Sequence, residues 1–143
     1  MTSPDPQKEA SVGTTPTPGT VRGVDFVVLP TRDFGAAVAF YGSTLGLRRS
    51  VYRPERRYAE FETGNLTLMV IDPPDMGMEH QTGRNPVALR VDDVHGSRAL
   101  LEKRGVTFAG DTMDSGACHQ AFFADPDGNA LILHHRYTPR TTS

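Results

Sequence analysis

Five histidines, one cysteine and a pair of glutamates are the residues of this chain best suited to chemistry. His80, His95, His119, His134 and His135 offer imidazole nitrogens, which bind borderline divalent ions and serve most often as general bases. Their spacing does not bring them together. His80 falls in a linker, His95 falls in the first turn of a helix beside Asp92 and Asp93, and the adjacent His134 and His135 must face opposite sides of a strand. Cys118 and His119 have the residue types of a nucleophile and its base, but the same alternation points them apart. A surface or hydrogen-bonding role is expected for each histidine, although His134 shares a strand face with Ile132 and Ala130. Glu60 and Glu62 share a face with Tyr58 and are expected on the solvent side of the sheet.

The elements that position these residues occur twice. Asp33 opens a helical stretch that Gly46 closes, and Asp92 and Gly105 repeat the pattern at the same separation. Each stretch is followed further on by a Gly-Asn pair, Gly64-Asn65 and Gly128-Asn129. A repeat of roughly 60 residues marks one supersecondary unit used in tandem.

Val24 to Leu29 is β-branched and of strand length, and it stops at Pro30. In the first helix Phe34, Ala37 and Tyr41 fall on one face, with Phe40 and Leu45 beside them. Gly46 suits the left-handed position after a helix, with Leu47 as its apolar contact. Residues 48 to 72 read as strand material broken by the Gly-Asn turn, which predicts an antiparallel hairpin. Val87 to Val91 is the next strand. Asp92 or Asp93 caps the second helix, in which Val94, Ser97 and Leu101 keep the period. Val106-Thr107-Phe108 leads into another strand. Residues 119 to 124 and 129 to 135 form a last hairpin, because Asp125-Pro126-Asp127-Gly128 has the residue order of a type I turn. Each half therefore reads β-α-β-β-β.

The chain has 143 residues and a formal charge of −2, with a pI near 6.2. That length suits one domain with a real core. The near-balanced, scattered charge predicts no nucleic-acid binding. No apolar run approaches the roughly 20 residues that cross a bilayer. A single cysteine and an N-terminus without the order of a signal peptide predict a cytoplasmic location. Residues 1–22, rich in Pro, Thr, Ser and Gly, read as a disordered tail. The single domain is expected over 23–136, with module 1 at about 23–72, a linker at 73–85, module 2 at about 86–136 and a C-terminal tail at 137–143.

Two such modules, with Phe40-Tyr41 and Leu45-Gly46-Leu47 in the first and Asp125-Pro126-Asp127-Gly128-Asn129 in the second, resemble the vicinal oxygen chelate superfamily. That group includes glyoxalase I, extradiol dioxygenases, fosfomycin-resistance enzymes and bleomycin-binding proteins. The resemblance runs from about residue 24 to residue 136. It implies an α+β fold in which two tandem βαβββ modules form a curved mixed sheet around a central cavity. It also implies a homodimer, sometimes with modules exchanged between chains.

Metal-dependent members of the superfamily hold a divalent ion with His, Gln or Glu from four equivalent strand positions. Here those positions carry Phe26, Pro86, Leu68 and Ile132, and a one-residue slip in the first hairpin would replace Leu68 by Met69. Such side chains do not suit these ions, so no metal and no cofactor are expected. The expected ligand-binding residues are Phe26, Val28, Leu68, Met69, Ala88, Arg90, Phe122, Ile132 and His134, with Arg90 at the rim and His134 as the chief polar group. Such a wall implies a small-molecule-binding protein that sequesters or carries an apolar or aromatic metabolite or antibiotic. The absence of tryptophan and the weak net charge point away from a cationic glycopeptide. Alternatives on the same fold are a metal-independent isomerase, cyclase or lyase using His134 or a cavity carboxylate as a proton carrier and, further off, a metal-dependent glyoxalase or dioxygenase.

Overall fold

The computed structural model describes residues 19–73 and 80–139. Most of the expected tail at 1–22, the centre of the expected linker at 73–85 and the last part of the tail at 137–143 lie outside these residues. Among the described residues eight strands and two α-helices appear in the expected order, in two mixed four-stranded sheets. Module 1 contains β1 (Phe26–Pro30), α1 (Phe34–Ala39), β2 (Arg48–Arg53), β3 (Tyr58–Glu62) and β4 (Thr67–Ile71). Module 2 contains β5 (Val87–Arg90), α2 (Val94–Lys103), β6 (Ala109–Asp114), β7 (Cys118–Ala124) and β8 (Ala130–Arg136).

The sheets have matching orders, β1-β4-β3-β2 and β5-β8-β7-β6. In each, the first strand runs parallel to the last strand of its module while the other neighbours are antiparallel. The parallel pair follows from the helix, which carries the chain across the sheet. The sheets are curved and do not close into a barrel.

Both helices begin on an aspartate whose carboxylate accepts a backbone N–H one turn on: Asp33 from Ala36 and Asp93 from Gly96, each at 3.1 Å. Asp93 is therefore the second cap, and it stands one residue nearer its closing glycine than Asp33 does. The additional residue of module 1 is absorbed in a π-helical turn, Phe40–Thr44, that continues α1. A π turn widens the helix by one residue without breaking it. Gly46 and Gly105 follow at φ +73 and +93, where any side chain would be strained.

One face of each sheet carries the core. Leu29, Leu68, Val70, Ala59 and Phe61 in module 1, and Ala121, Phe123, Leu131 and Leu133 in module 2, are all buried in a single cluster with Ala37, Tyr41, Val94 and Leu101 of the helical segments. The modules are thus joined through their helix-covered faces. Phe40 of module 1 lies 6.4 Å from Phe123 of module 2, which in turn lies 5.0 Å from Phe108. These distances suit offset aromatic pairs, and each buried ring removes a large apolar area from water.

A polar clasp crosses the same junction. The Asp125-Pro126-Asp127-Gly128 turn closes with a 2.9 Å bond from Gly128 N to Asp125 O. Asp125 Oδ1 accepts the backbone N–H groups of Asp127 and Asn129, both at 2.9 Å. Its Oδ2 accepts the Tyr41 hydroxyl at 2.6 Å and the Asn129 amide at 2.7 Å. Buried polar groups are tolerated when satisfied in this way.

Candidate ligand-binding faces

The strand ladders place each expected residue by its cross-strand partners. In module 1, Val28 pairs with Met69 and Met69 with Glu60, while Phe26 pairs with Thr67 and Thr67 with Glu62. Phe26, Val28, Met69, Glu60 and Glu62 therefore share the face turned away from α1. Leu68 does not. It pairs with Val27 and Phe61 and is fully buried on the helix side, so the one-residue slip holds and Met69 is the counterpart of Ile132. The cause is the turn Thr63-Gly64-Asn65-Leu66, which places β4 one residue further beyond its glycine than the second turn places β8; a shift of one reverses the face of every side chain.

In module 2, Ala88, Ile132 and Phe122 form one cross-strand row, and Arg90, His134 and Gln120 form the next. All five residues expected on this sheet thus share one face. Gln120, which sequence reasoning passed over, stands between His134 and the Cys118 end of β7. Its signal was available in the alternation of Cys118, Gln120 and Phe122.

The two faces belong to separate sheets, and because the sheets join through their other sides, these faces are open. Phe26 and Val28 remain 48% and 42% exposed, a large apolar exposure for β-sheet residues next to one another. Glu60 and Glu62 are on the solvent side as expected, and that side is also the one carrying Phe26, Val28 and Met69. Tyr58 donates its hydroxyl to the Glu60 carboxylate. Partial burial and that carboxylate push the Tyr58 hydroxyl up to about 12. Glu62 accepts the hydroxyls of Ser50 and Thr67, and these bonds hold its carboxyl below the ordinary glutamate range.

His119 and His135 point away from these faces, whereas Cys118 lies on the Gln120 and Phe122 side of β7. His119 points to the helix side, where its Nε2 lies 3.4 Å from Asp114 Oδ2 and its ring lies 5.1 Å from His95 and 4.9 Å from Tyr137. Cys118 faces the other way, bonded to the Ser115 hydroxyl at 3.2 Å, and that contact holds its thiol below the usual range. No nucleophile–base pair forms between them. His135 is opposite His119 across the ladder, away from His134. His80 leaves its Nε2 buried without a hydrogen-bond partner among the described residues.

A divalent ion between the modules would need nitrogen or oxygen donors. The positions that would supply them carry Phe26, Met69, Pro86 and Ile132, so the residues present do not fit such an ion. Among the described residues no group of three His, Cys, Asp or Glu side chains is placed to hold a metal. No helix among them is long and apolar enough to cross a membrane.

Two repeated βαβββ units, joined helix face to helix face with an open sheet face on each, define the class of protein. Residues 23–133 match the profile of the Glyoxalase/Bleomycin resistance protein/Dioxygenase superfamily, and the chain belongs to that family. No curated protein matches it. Among solved structures it is similar to lactoylglutathione lyase from Agrobacterium tumefaciens, with a TM-score of 0.70, 19% identity and coverage of 80% of this chain and 94% of that one. It is similar to a glyoxalase/bleomycin resistance protein/dioxygenase from Nocardioides, with a TM-score of 0.69, 22% identity and coverage of 96% and 98%. It is also similar to TnmS3, an antibiotic binding protein from Streptomyces sp. CB03234, with a TM-score of 0.66, 29% identity and coverage of 81% and 97%.

Proposed function

We propose that this protein is a metal-free small-molecule-binding protein that sequesters or carries an apolar or aromatic metabolite or antibiotic. One observation carries the reading: Phe26, Met69, Pro86 and Ile132 put hydrocarbon, thioether or pyrrolidine where ion ligands would have to stand. The likeness to an antibiotic binding protein at 29% identity supports it. The ligand is held between the face of Phe26, Val28 and Met69 and the face of Ala88, Phe122 and Ile132. Arg90, Gln120 and His134 supply orienting hydrogen bonds. Burial at roughly 25 cal/mol per Å² provides most of the affinity, and a few polar contacts provide the selectivity.

The two faces turn away from each other within one chain, so the complete site is assembled in a homodimer from module 1 of one copy and module 2 of another. The open apolar strip at Phe26 and Val28 supports this arrangement. The protein works in the cytoplasm.

A panel of aromatic metabolites and antibiotics, screened by thermal shift in the presence of EDTA, tests the reading. At least one compound should raise the melting temperature, and Ile132→Glu should abolish that shift in a protein that still folds. Binding lost on chelation, or stoichiometric Ni, Zn, Mn or Fe by elemental analysis, would overturn the reading.

His134 beside Gln120 and Arg90 on an open face favours a second reading, a metal-independent isomerase, cyclase or lyase in which His134 moves a proton. Turnover that survives chelators and disappears in His134→Ala would select it.

A further inference from the structure

The two modules can be matched residue by residue. Thr31 N donates to Ile71 O and Val91 N donates to His134 O, while Asp33 and Asp93 hold equivalent caps. Counting from these landmarks, Leu101 of α2 matches Tyr41, and Leu66 before β4 matches Asn129 before β8. The match exposes an asymmetry. Beside β1 the seam between the modules is shut by the Tyr41, Asp125 and Asn129 clasp, whose Asn129 amide donates to Pro30 O at 2.8 Å. Beside β5 Tyr41 and Asn129 are matched by two leucines, and Asp125 is matched by Thr63, whose hydroxyl donates within its own turn to Leu66 O at 2.7 Å.

The seam there is hollow. A cavity of about 420 Å³ lies between the end of α1, the Thr63–Leu66 turn, β5 and α2. Its walls include Leu45, Leu47, Leu66, Leu68, Leu89 and Leu101. Arg90, Arg104, Ser97, Thr63 and Asn65 also line it, and among the described residues no Asp or Glu does. Arg104 is anchored, because its Nη1 donates to Thr44 O at 2.8 Å. A wall made mostly of leucines and bordered by two guanidinium groups has the chemistry of a receptor for a hydrocarbon with an anionic head. Its volume falls within the roughly 300–1,000 Å³ of small-molecule sites.

We propose that this seam cavity is a second ligand site that takes an anionic amphiphile, a medium-chain carboxylate, with its chain among the leucines and its carboxylate against Arg104. The site is separate from the open sheet faces. Leu68, Leu89 and Leu101 all lie on the helix side of the sheets, and of the residues that line the cavity only Ala88 and Arg90, on the edge strand β5, also belong to an open sheet face.

Isothermal titration of the full chain with decanoate, below its micellar concentration, tests the proposal, with decylammonium and 1-decanol as head-group controls. One decanoate should bind per chain, and both controls should bind roughly tenfold more weakly or worse, the scale of one charge-assisted contact. Leu100→Trp, at a residue that lines the cavity and is 47% exposed, should fill the mouth and abolish binding. Arg104→Gln, which keeps a donor for Thr44 O, should weaken decanoate roughly tenfold while leaving 1-decanol unchanged. Met69→Glu, on the sheet face, should leave decanoate affinity intact. Absence of saturable binding, equal affinity for decylammonium, or affinity that survives Leu100→Trp and falls with Met69→Glu would overturn the proposal. Should Leu100→Trp fail to fold, Ser97→Phe blocks the same space and decides the outcome. The sheet-face reading is untouched by any of these results except the last pattern, which would favour it.

Discussion

The side-chain amide of Asn129 donates to the carbonyl of Pro30, 99 residues earlier in the chain and 2.8 Å away. The same nitrogen donates to Asp125 Oδ2, so both of its hydrogens are used and the first strand of module 1 is tied to the last turn of module 2. Because the group is buried, removing it strands its partners without water. Asn129→Ala should therefore cost roughly 2–4 kcal/mol of stability, read from urea unfolding. A loss under about 1 kcal/mol would mean that the clasp contributes little.

Tyr41 makes stability fall at alkaline pH. Burial first, and the Asp125 carboxylate second, raise its hydroxyl far above the usual tyrosine range. A group whose folded value is raised contributes its full stabilisation below the unfolded value, about 10 for tyrosine. Above that pH the unfolded chain releases a proton that the folded chain keeps, so the unfolding free energy declines. Urea midpoints measured between about pH 8 and pH 11 should show this slope. Tyr41→Phe should reduce this slope, leaving the part that the raised Tyr58 hydroxyl contributes, while lowering stability at neutral pH by roughly 1–3 kcal/mol.

The Tyr58 and Glu60 pair can be followed spectroscopically. The Tyr58 hydroxyl stands at about 12, raised by partial burial and by the carboxylate that accepts its proton. Glu60→Gln removes the charge and should move the Tyr58 transition down toward the ordinary tyrosine value. Ultraviolet titration, with Tyr58→Phe identifying the transition, reads the change directly. An unmoved transition would dissociate the two side chains.

Gly105 offers a test of backbone conformation alone. Its φ is +93 and a Cβ there would meet no heavy atom within 4 Å, so Gly105→Ala introduces strain without a clash. The expected cost is about 1 kcal/mol. Gly35→Ala, in the first turn of α1 with ordinary backbone and only a 3.8 Å contact to Asp33, should be neutral or slightly stabilising.

Local signals made much of this architecture legible. The Asp-Pro-Asp-Gly order gave the last hairpin, the 3.6-residue spacing of Phe34, Ala37 and Tyr41 gave the first helix, and strand alternation put Ala88, Arg90, Ile132, His134 and Phe122 on a common face. What stayed hidden depends on single-residue register or on distant contacts. Met69 rather than Leu68 faces outward because of one additional residue in a turn. Asp93 rather than Asp92 caps the second helix, and the equal glycine spacing counted from Asp92 concealed this because a π turn lengthens the first helix by one residue. The bonds from Asn129 to Pro30 and from Tyr41 to Asp125 span the length of the domain, and no local pattern in the sequence announces them. The direction in which the modules join, helix side to helix side, likewise follows from tertiary packing of Phe40 against Phe123.

A seam laced on one flank and hollow on the other also sets where the molecule breathes. β1 is moored by Asn129 and by the 2.8 Å bond from Arg32 N to Asp127, whereas β5 has four residues and lies against empty space. Its backbone protons should trade with deuterated solvent well before those of Val27 to Leu29. A molecule that settles into the hollow would then act as a brace, quieting the half of the protein that loosens first.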